Sequence, residues 1–159
     1  MGSGEGVELK PIGIIRTPFS SQDGMPRSTS QAAGAKGTIE LFGPFRAGLK
    51  DLDGFSHVIL LWQLDRSVDF HLLAVPPRQT EPKGVFATRS PHRPNPIGLS
   101  VVELHGVEDG VLHVERVDML DGTPLLDIKP YIPASDSVSN ACTGWLGSRG
   151  RVDVNDQSA

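Results

Sequence analysis

The chain has 159 residues, with 15 Lys and Arg against 19 Asp and Glu, a formal net charge of −4 and a pI near 5.7. That length suits a single domain, and the acidic balance excludes a protein that coats nucleic acid by bulk phosphate neutralisation. One cysteine, Cys142, leaves no intramolecular disulfide and fits a reducing compartment.

The N-terminal MGSGEG lacks a secretory pattern, and no stretch approaches the ~18 apolar residues of a membrane span, so a soluble, cytoplasmic protein with no membrane partner is expected. A folded domain over residues 9–146 is expected between a flexible leader, 1–8, and a disordered tail, 147–159. Val7 to Ile15 alternates loosely into IGIIRTPF and predicts an edge strand stopped by Pro18. Ser20 to Gly34 is poor in apolar side chains and reads as a long loop, a kind more often functional or mobile than idle. A strand over Gly37–Phe42 follows, then about two helical turns over Pro44–Asp53, where Phe45, Leu49 and Leu52 share a face.

His57 to Leu64, HVILLWQL, is the most apolar run and predicts a buried central strand, with Asp65 and Arg66 at its open end. Short strands are expected over Val68–Pro77 and Gly84–Thr88, separated by a polar turn. Ser90 to Gly98 holds three prolines and predicts a stiff loop. Leu99–Val107 and Val111–Val117 alternate on either side of Glu108-Asp109-Gly110 and predict a β-hairpin. A turn at Asp121-Gly122-Thr123-Pro124 leads to a last strand, Leu125–Ile128; beyond Pro133 the chain is polar, with Gly144-Trp145-Leu146 free to dock back. Many short strands with Gly/Pro turns indicate an all-β barrel or sandwich, and no strand–GxGxxG–helix unit supports a Rossmann fold.

Two segments concentrate chemistry. In GVFATRSPHRPNPIGLS (84–100) the prolines preorganise the backbone, Arg89 and Arg93 offer fork-shaped donors, and Asn95 offers both a donor and an acceptor. The alternative is a rigid corner whose arginines pair with surface acids. In DMLDGTPLLDIKPY (118–131), Asp118, Asp121 and Asp127 stand at or beside strand ends. Asp121 suits a turn-closing role, while Asp127 and Lys129 share a face toward solvent or a ligand. Arg78, Lys83, Arg89 and Arg93 fall within a short stretch whose one acid is Glu81, a local basic site or a solvated loop. His57, His71, His92, His105 and His113 show no metal-ligand spacing, so no metal is expected, and no GxSxG marks a serine nucleophile.

GVFATRSP running into RPNPIGLSVV (84–102), then a hairpin, then D-x-L-DGTPLLDIKPY (118–131), resembles the TrmO-like (TsaA-like) family. The similarity extends to IGIIRTPF, GAKG, LDGFSH and the late GWL. The resemblance implies a small single-domain β-barrel of non-Rossmann type that binds S-adenosyl-L-methionine, a homodimer with the cofactor near the subunit interface, and methylation of N6 of a threonylcarbamoyl-modified adenosine beside the tRNA anticodon. It places cofactor contacts on Gln31 and Gly34, on Asp65 and Arg66, on Arg89, Arg93, Asn95, Pro96 and Leu99, and on Arg116, Val117, Asp118 and Asp121. The loop before GAKG departs from the family pattern in reading Gln31-Ala32-Ala33, as does the pair Asp65-Arg66.

Methyl transfer from a sulfonium rests on positioning and needs no metal. The exocyclic nitrogen must also lose a proton, and Tyr131 and Asp127 are the candidates to orient or accept it. Arg78, Lys83 and Lys129 are the candidate substrate contacts. A small-metabolite acceptor and a non-catalytic cofactor or nucleotide sensor are the competing functions.

Overall fold

The computed structural model describes residues 6–150, the side chains of 148–150 excepted. Its strands are β1 (Gly13–Arg16), β2 (Lys36–Leu41), β3 (His57–Gln63), β4 (Leu73–Ala74), β5 (Lys83–Gly84), β6 (Ile97–Glu108), β7 (Val111–Glu115) and β8 (Thr123–Pro130). Six of them close into a barrel in the order β1-β2-β7-β6-β3-β8, every neighbour antiparallel, while β4 and β5 form a separate two-residue ribbon. The all-β barrel expected from the sequence is the observed fold.

Alternation fills the interior. Ile39 and Leu41 of β2, Val58 and Leu60 of β3, Val102 and Leu104 of β6, and Leu112 and Val114 of β7 point inward with Ile15 and Leu125, and Val117 and Met119 join them from the β7–β8 connection. The β6–β7 hairpin turns through Asp109 and Gly110, whose φ angles of 49° and 80° are those of a type I′ turn.

Several local expectations are corrected. β1 is no edge strand: it pairs with β2 on one side and β8 on the other, and begins at Gly13 rather than Val7. The predicted helical turns are a 3-10 helix over Gly43–Leu49. Gly84–Thr88 is not a strand, because Val85–Ala87 forms a 3-10 turn whose neighbouring carbonyls are drawn in by Arg93. Of Val68–Pro77 only Leu73–Ala74 pairs.

The last strand starts earlier than expected, at Thr123, because the Thr123 hydroxyl donates to Leu120 O at 2.6 Å and closes the turn before it. A register shift beside Leu61 and Trp62 leaves Leu126 as an extra residue in β8, so Leu125 faces the core while Asp127 and Lys129 face outward. Trp145 docks back as expected, its indole N–H donating to Ala87 O at 2.8 Å. Residues 1–5 of the expected leader and 151–159 of the expected tail lie outside the described residues. Among the described residues no helix is long and apolar enough to cross a membrane.

Candidate functional site

Antiparallel closure gathers the long connections at one end of the barrel. β1 leaves and β2 enters there, as do β3 and β6, and β7 and β8, so segments 17–35, 64–96 and 116–122 converge on one rim. Between them lies a cavity of about 110 Å³ lined by Trp62, Asp65, Arg66, His92 and Asp118, among others. The rim brings together residues that are far apart in the sequence.

Trp62 continues the inward-facing set of Val58 and Leu60 and closes the barrel mouth. Its indole lies against Gly98 so closely that a Cβ there would overlap the ring. The indole N–H donates to Ser100 Oγ at 3.1 Å, and the Ser100 hydroxyl donates to Asp118 Oδ1 at 2.6 Å. Burial pushes the Asp118 carboxyl above the usual carboxylate range, opposed by the Ser100 hydrogen bond and the Arg89 charge. The sequence reading does not select Trp62 or Ser100 as site residues; the pairing of Trp62 with Gly98, and of Leu60 with Ser100 two residues on, emerges only once β3 is set beside β6.

The other expected cofactor residues fall into three groups. Asp65 and Arg66 line the cavity; Arg66 Nη2 donates to Asp121 O at 2.6 Å, and Asp121 Oδ1 accepts the Thr17 N–H at 3.1 Å, so its carboxylate ties the end of β1 to the β7–β8 connection rather than closing its own turn, which Thr123 does. In the proline-rich loop, Arg89 and Asn95 are exposed and Leu99 points outward. Pro96 O accepts the Leu64 N–H at 2.8 Å and so ties the loop to the end of β3. Arg93 Nη1 donates to Thr88 O at 2.8 Å and, less closely, to Val85 O and Ser90 O, stapling the loop to itself.

Beside the rim, Gln31 is exposed and lines a second cleft of about 880 Å³ with Arg27, Arg78 and Trp145. Gly34, at φ 81°, donates its N–H to Glu115 Oε1 at 2.9 Å. Arg116, at φ 73°, donates from Nε to Glu103 Oε1 at 2.7 Å, and that bond holds the Glu103 carboxyl below its ordinary range. The Val117 side chain is fully buried in the core, and its N–H donates to Ala35 O.

The candidate substrate and proton-transfer residues are not all on this rim. Lys83 lies in β5, and Lys129 pairs with Asp127 at 2.8 Å on the outer face of β8. Tyr131 packs edge-on against His57, ring centroids 6.3 Å apart, at the far end of β3. At about 3.3 Å per residue, the length of β3 puts Tyr131 roughly 20 Å from the cavity within one subunit.

The rim residues fit the implied cofactor. Carboxylates of Asp65 and Asp118 and the Trp62 ring suit a sulfonium, an ammonium or ribose hydroxyls, and Arg66 and Arg89 suit a carboxylate. A cavity of about 110 Å³ is small beside the ~300–1,000 Å³ of ordinary ligand pockets. It takes part of such a molecule, and the rest needs neighbouring surface.

Comparison with known proteins follows the same outline. The tRNA-methyltransferase O N-terminal domain matches residues 14–137. A protein of Pyrococcus abyssi described as a probable S-adenosyl-L-methionine-binding protein is 49% identical over 137 residues, covering 86% of this chain and 74% of the relative. The tRNA (adenine(37)-N6)-methyltransferase of Mus musculus is 40% identical over 138 residues, where 82% of this chain spans 32% of the mouse protein. The crystal structure of TrmO from Pseudomonas aeruginosa superposes with a TM-score of 0.75 at 42% identity, covering 89% of this chain and 63% of that one. A shared fold and a family match over residues 14–137 mean that this chain belongs to the TrmO family, through its tRNA-methyltransferase O N-terminal domain.

Proposed function

We propose that the chain is an S-adenosylmethionine-dependent methyltransferase whose acceptor is N6 of a threonylcarbamoyl-modified adenosine beside the tRNA anticodon, and that it works in the cytoplasm as a homodimer. The observation that carries the reading is the meeting of Asp65, Arg66 and Asp118 with the proline-rich loop at one barrel mouth. Relatives described as S-adenosylmethionine-binding proteins and as tRNA adenine N6-methyltransferases support the cofactor and the acceptor class.

The cofactor, when bound, supplies an electrophilic methyl group. The chain's own residues would hold it: the carboxylates of Asp65 and Asp118 would attract its cationic groups, the Trp62 ring would form the cavity floor, and the stapled loop would keep the guanidinium of Arg89 available at the rim. Asp118, half-buried and made a stronger base by the burial that raises its carboxyl, is the cavity's candidate to take the proton from the acceptor nitrogen. Asp127 and Tyr131 stand on the outer wall and can reach such a site only across a subunit contact.

Dimerisation is supported by a run of exposed apolar side chains on the β3–β6 connection. Val68, Phe70, Leu72, Leu73, Val75 and Phe86 all face solvent, Val68 at 90% and Phe86 at 75% exposure, and a second copy would cover such side chains. The net charge of −4 favours a second reading, a small-metabolite acceptor.

Incubation with labelled S-adenosylmethionine and total tRNA, followed by digestion, should give a labelled modified adenosine, and tRNA lacking the threonylcarbamoyl group should not be labelled. Reversing Arg78 and Lys83 to Glu should weaken tRNA binding and flatten its salt dependence by about one slope unit per lost phosphate contact. Absence of label in tRNA, with binding untouched by the reversal, would give the metabolite reading the lead.

A further inference from the structure

The outer wall of the barrel carries a second cluster that methyl transfer does not use. Glu103 of β6 stands directly across from Glu115 of β7, and like charges so opposed repel. The bulge after Leu104 sets His105 beside them. Its Nε2 lies 3.4 Å from Glu103 Oε2 and 3.4 Å from Glu115 Oε2.

Those separations exceed the ~2.7–2.9 Å of a charge-assisted hydrogen bond. They match the ligand-to-ligand edge of a tetrahedral ion with bonds of about 2.0–2.1 Å, since that edge is about 1.63 times the bond length. One ligand atom from each of the three residues lies within 4.8 Å of the others. The second oxygen of each carboxylate is already held, Glu103 Oε1 by Arg116 Nε at 2.7 Å and Glu115 Oε1 by the Gly34 N–H at 2.9 Å. Outer hydrogen bonds of this kind orient ligating carboxylates, and here they leave one oxygen of each turned toward the imidazole. His105 and Glu115 also line an open groove of about 630 Å³ with Arg16, Lys36 and His113, which leaves room for water or an anion beside an ion.

We propose that Glu103, His105 and Glu115 form a three-ligand site for a divalent first-row metal ion of the zinc class, its fourth position open to the groove. One imidazole and two carboxylates suit zinc, cobalt or nickel, whereas calcium and magnesium take six or more oxygens. Three neighbouring cationic or titratable groups oppose capture: Arg116 on Glu103, Lys36 across from Glu115, and His57 across from Glu103. The site therefore depends on the imidazole as its one neutral nitrogen ligand.

The test is titration of the metal-free full chain with Zn²⁺ against a chromogenic chelator, and with Co²⁺ by visible absorption. One equivalent should bind, with the intense bands of tetrahedral cobalt. His105→Ala and Glu115→Gln should each weaken binding at least about tenfold, a loss of the size seen when a supporting group alone is removed. Cys142→Ser should change nothing. His105 is half-exposed, so its replacement leaves the barrel intact, which far-ultraviolet circular dichroism checks. No binding at micromolar metal, undiminished binding by His105→Ala, or loss of binding on Cys142→Ser would each overturn the site.

Discussion

Asp118 is the residue where fold and chemistry pull in opposite directions. Its carboxyl is raised by burial, so in the window between the ordinary and the raised value the folded chain binds more protons than the unfolded one. Stability then falls as pH rises through that window, and the charged form is a standing cost at neutral pH. Asp118→Asn keeps an oxygen for the Ser100 hydroxyl and removes the charge. Thermal denaturation at pH 7.5 should show a melting temperature equal to or above the parent's, with the difference shrinking below pH 4, while cofactor binding weakens about tenfold or more. A variant that melts lower at neutral pH but binds cofactor normally would make Asp118 a structural residue. The Glu103 carboxyl shifts the other way, lowered by Arg116, so its contribution is present above the ordinary range and lost as pH falls.

At the scale of elements, the β3–β6 pair builds the floor of the site through one close approach. Gly98→Ala would drive a methyl group into the Trp62 ring, and overpacking of this kind costs about 1–3 kcal/mol. Denaturant unfolding should report that loss, and Trp fluorescence should shift as the indole leaves Ser100. Unchanged stability and emission would mean that the ring moves aside freely. This floor also marks the boundary of what the sequence alone makes readable. The β6–β7 hairpin was legible because alternation and Asp-Gly turn chemistry are both local, and Asp65, Arg66, Asp118 and the proline-rich loop were legible through motif resemblance. The Trp62–Ser100–Asp118 chain spans three elements and follows from strand register, which no short window encodes. For the same reason Glu103 and Glu115 look unrelated in sequence, twelve residues apart, yet are direct cross-strand partners. The Val85–Ala87 turn looks like a strand in sequence because its three apolar residues carry no sign of Arg93, which gathers the neighbouring carbonyls.

At the scale of the whole molecule, the apolar stretch along 68–75 and Phe86 sits on the connection that rims the cavity. Leu73→Glu together with Phe86→Glu should give a monomer by sedimentation at micromolar concentration, with cofactor binding reduced because the small cavity loses its second wall. A dimer that survives the pair would place the interface elsewhere, and a monomer with full affinity would show that one subunit suffices. The barrel has another consequence, for the order in which the chain is made. Its seam is the pairing of β1 with β8, the first strand with the last, and β8 also covers one side of β3. During synthesis the early strands therefore emerge with unsatisfied edges and wait for Thr123–Pro130, and contacts so distant in the chain form slowly. The cavity mouth, which needs both Trp62 and Thr123, cannot exist on the nascent chain until that final strand has cleared the ribosome.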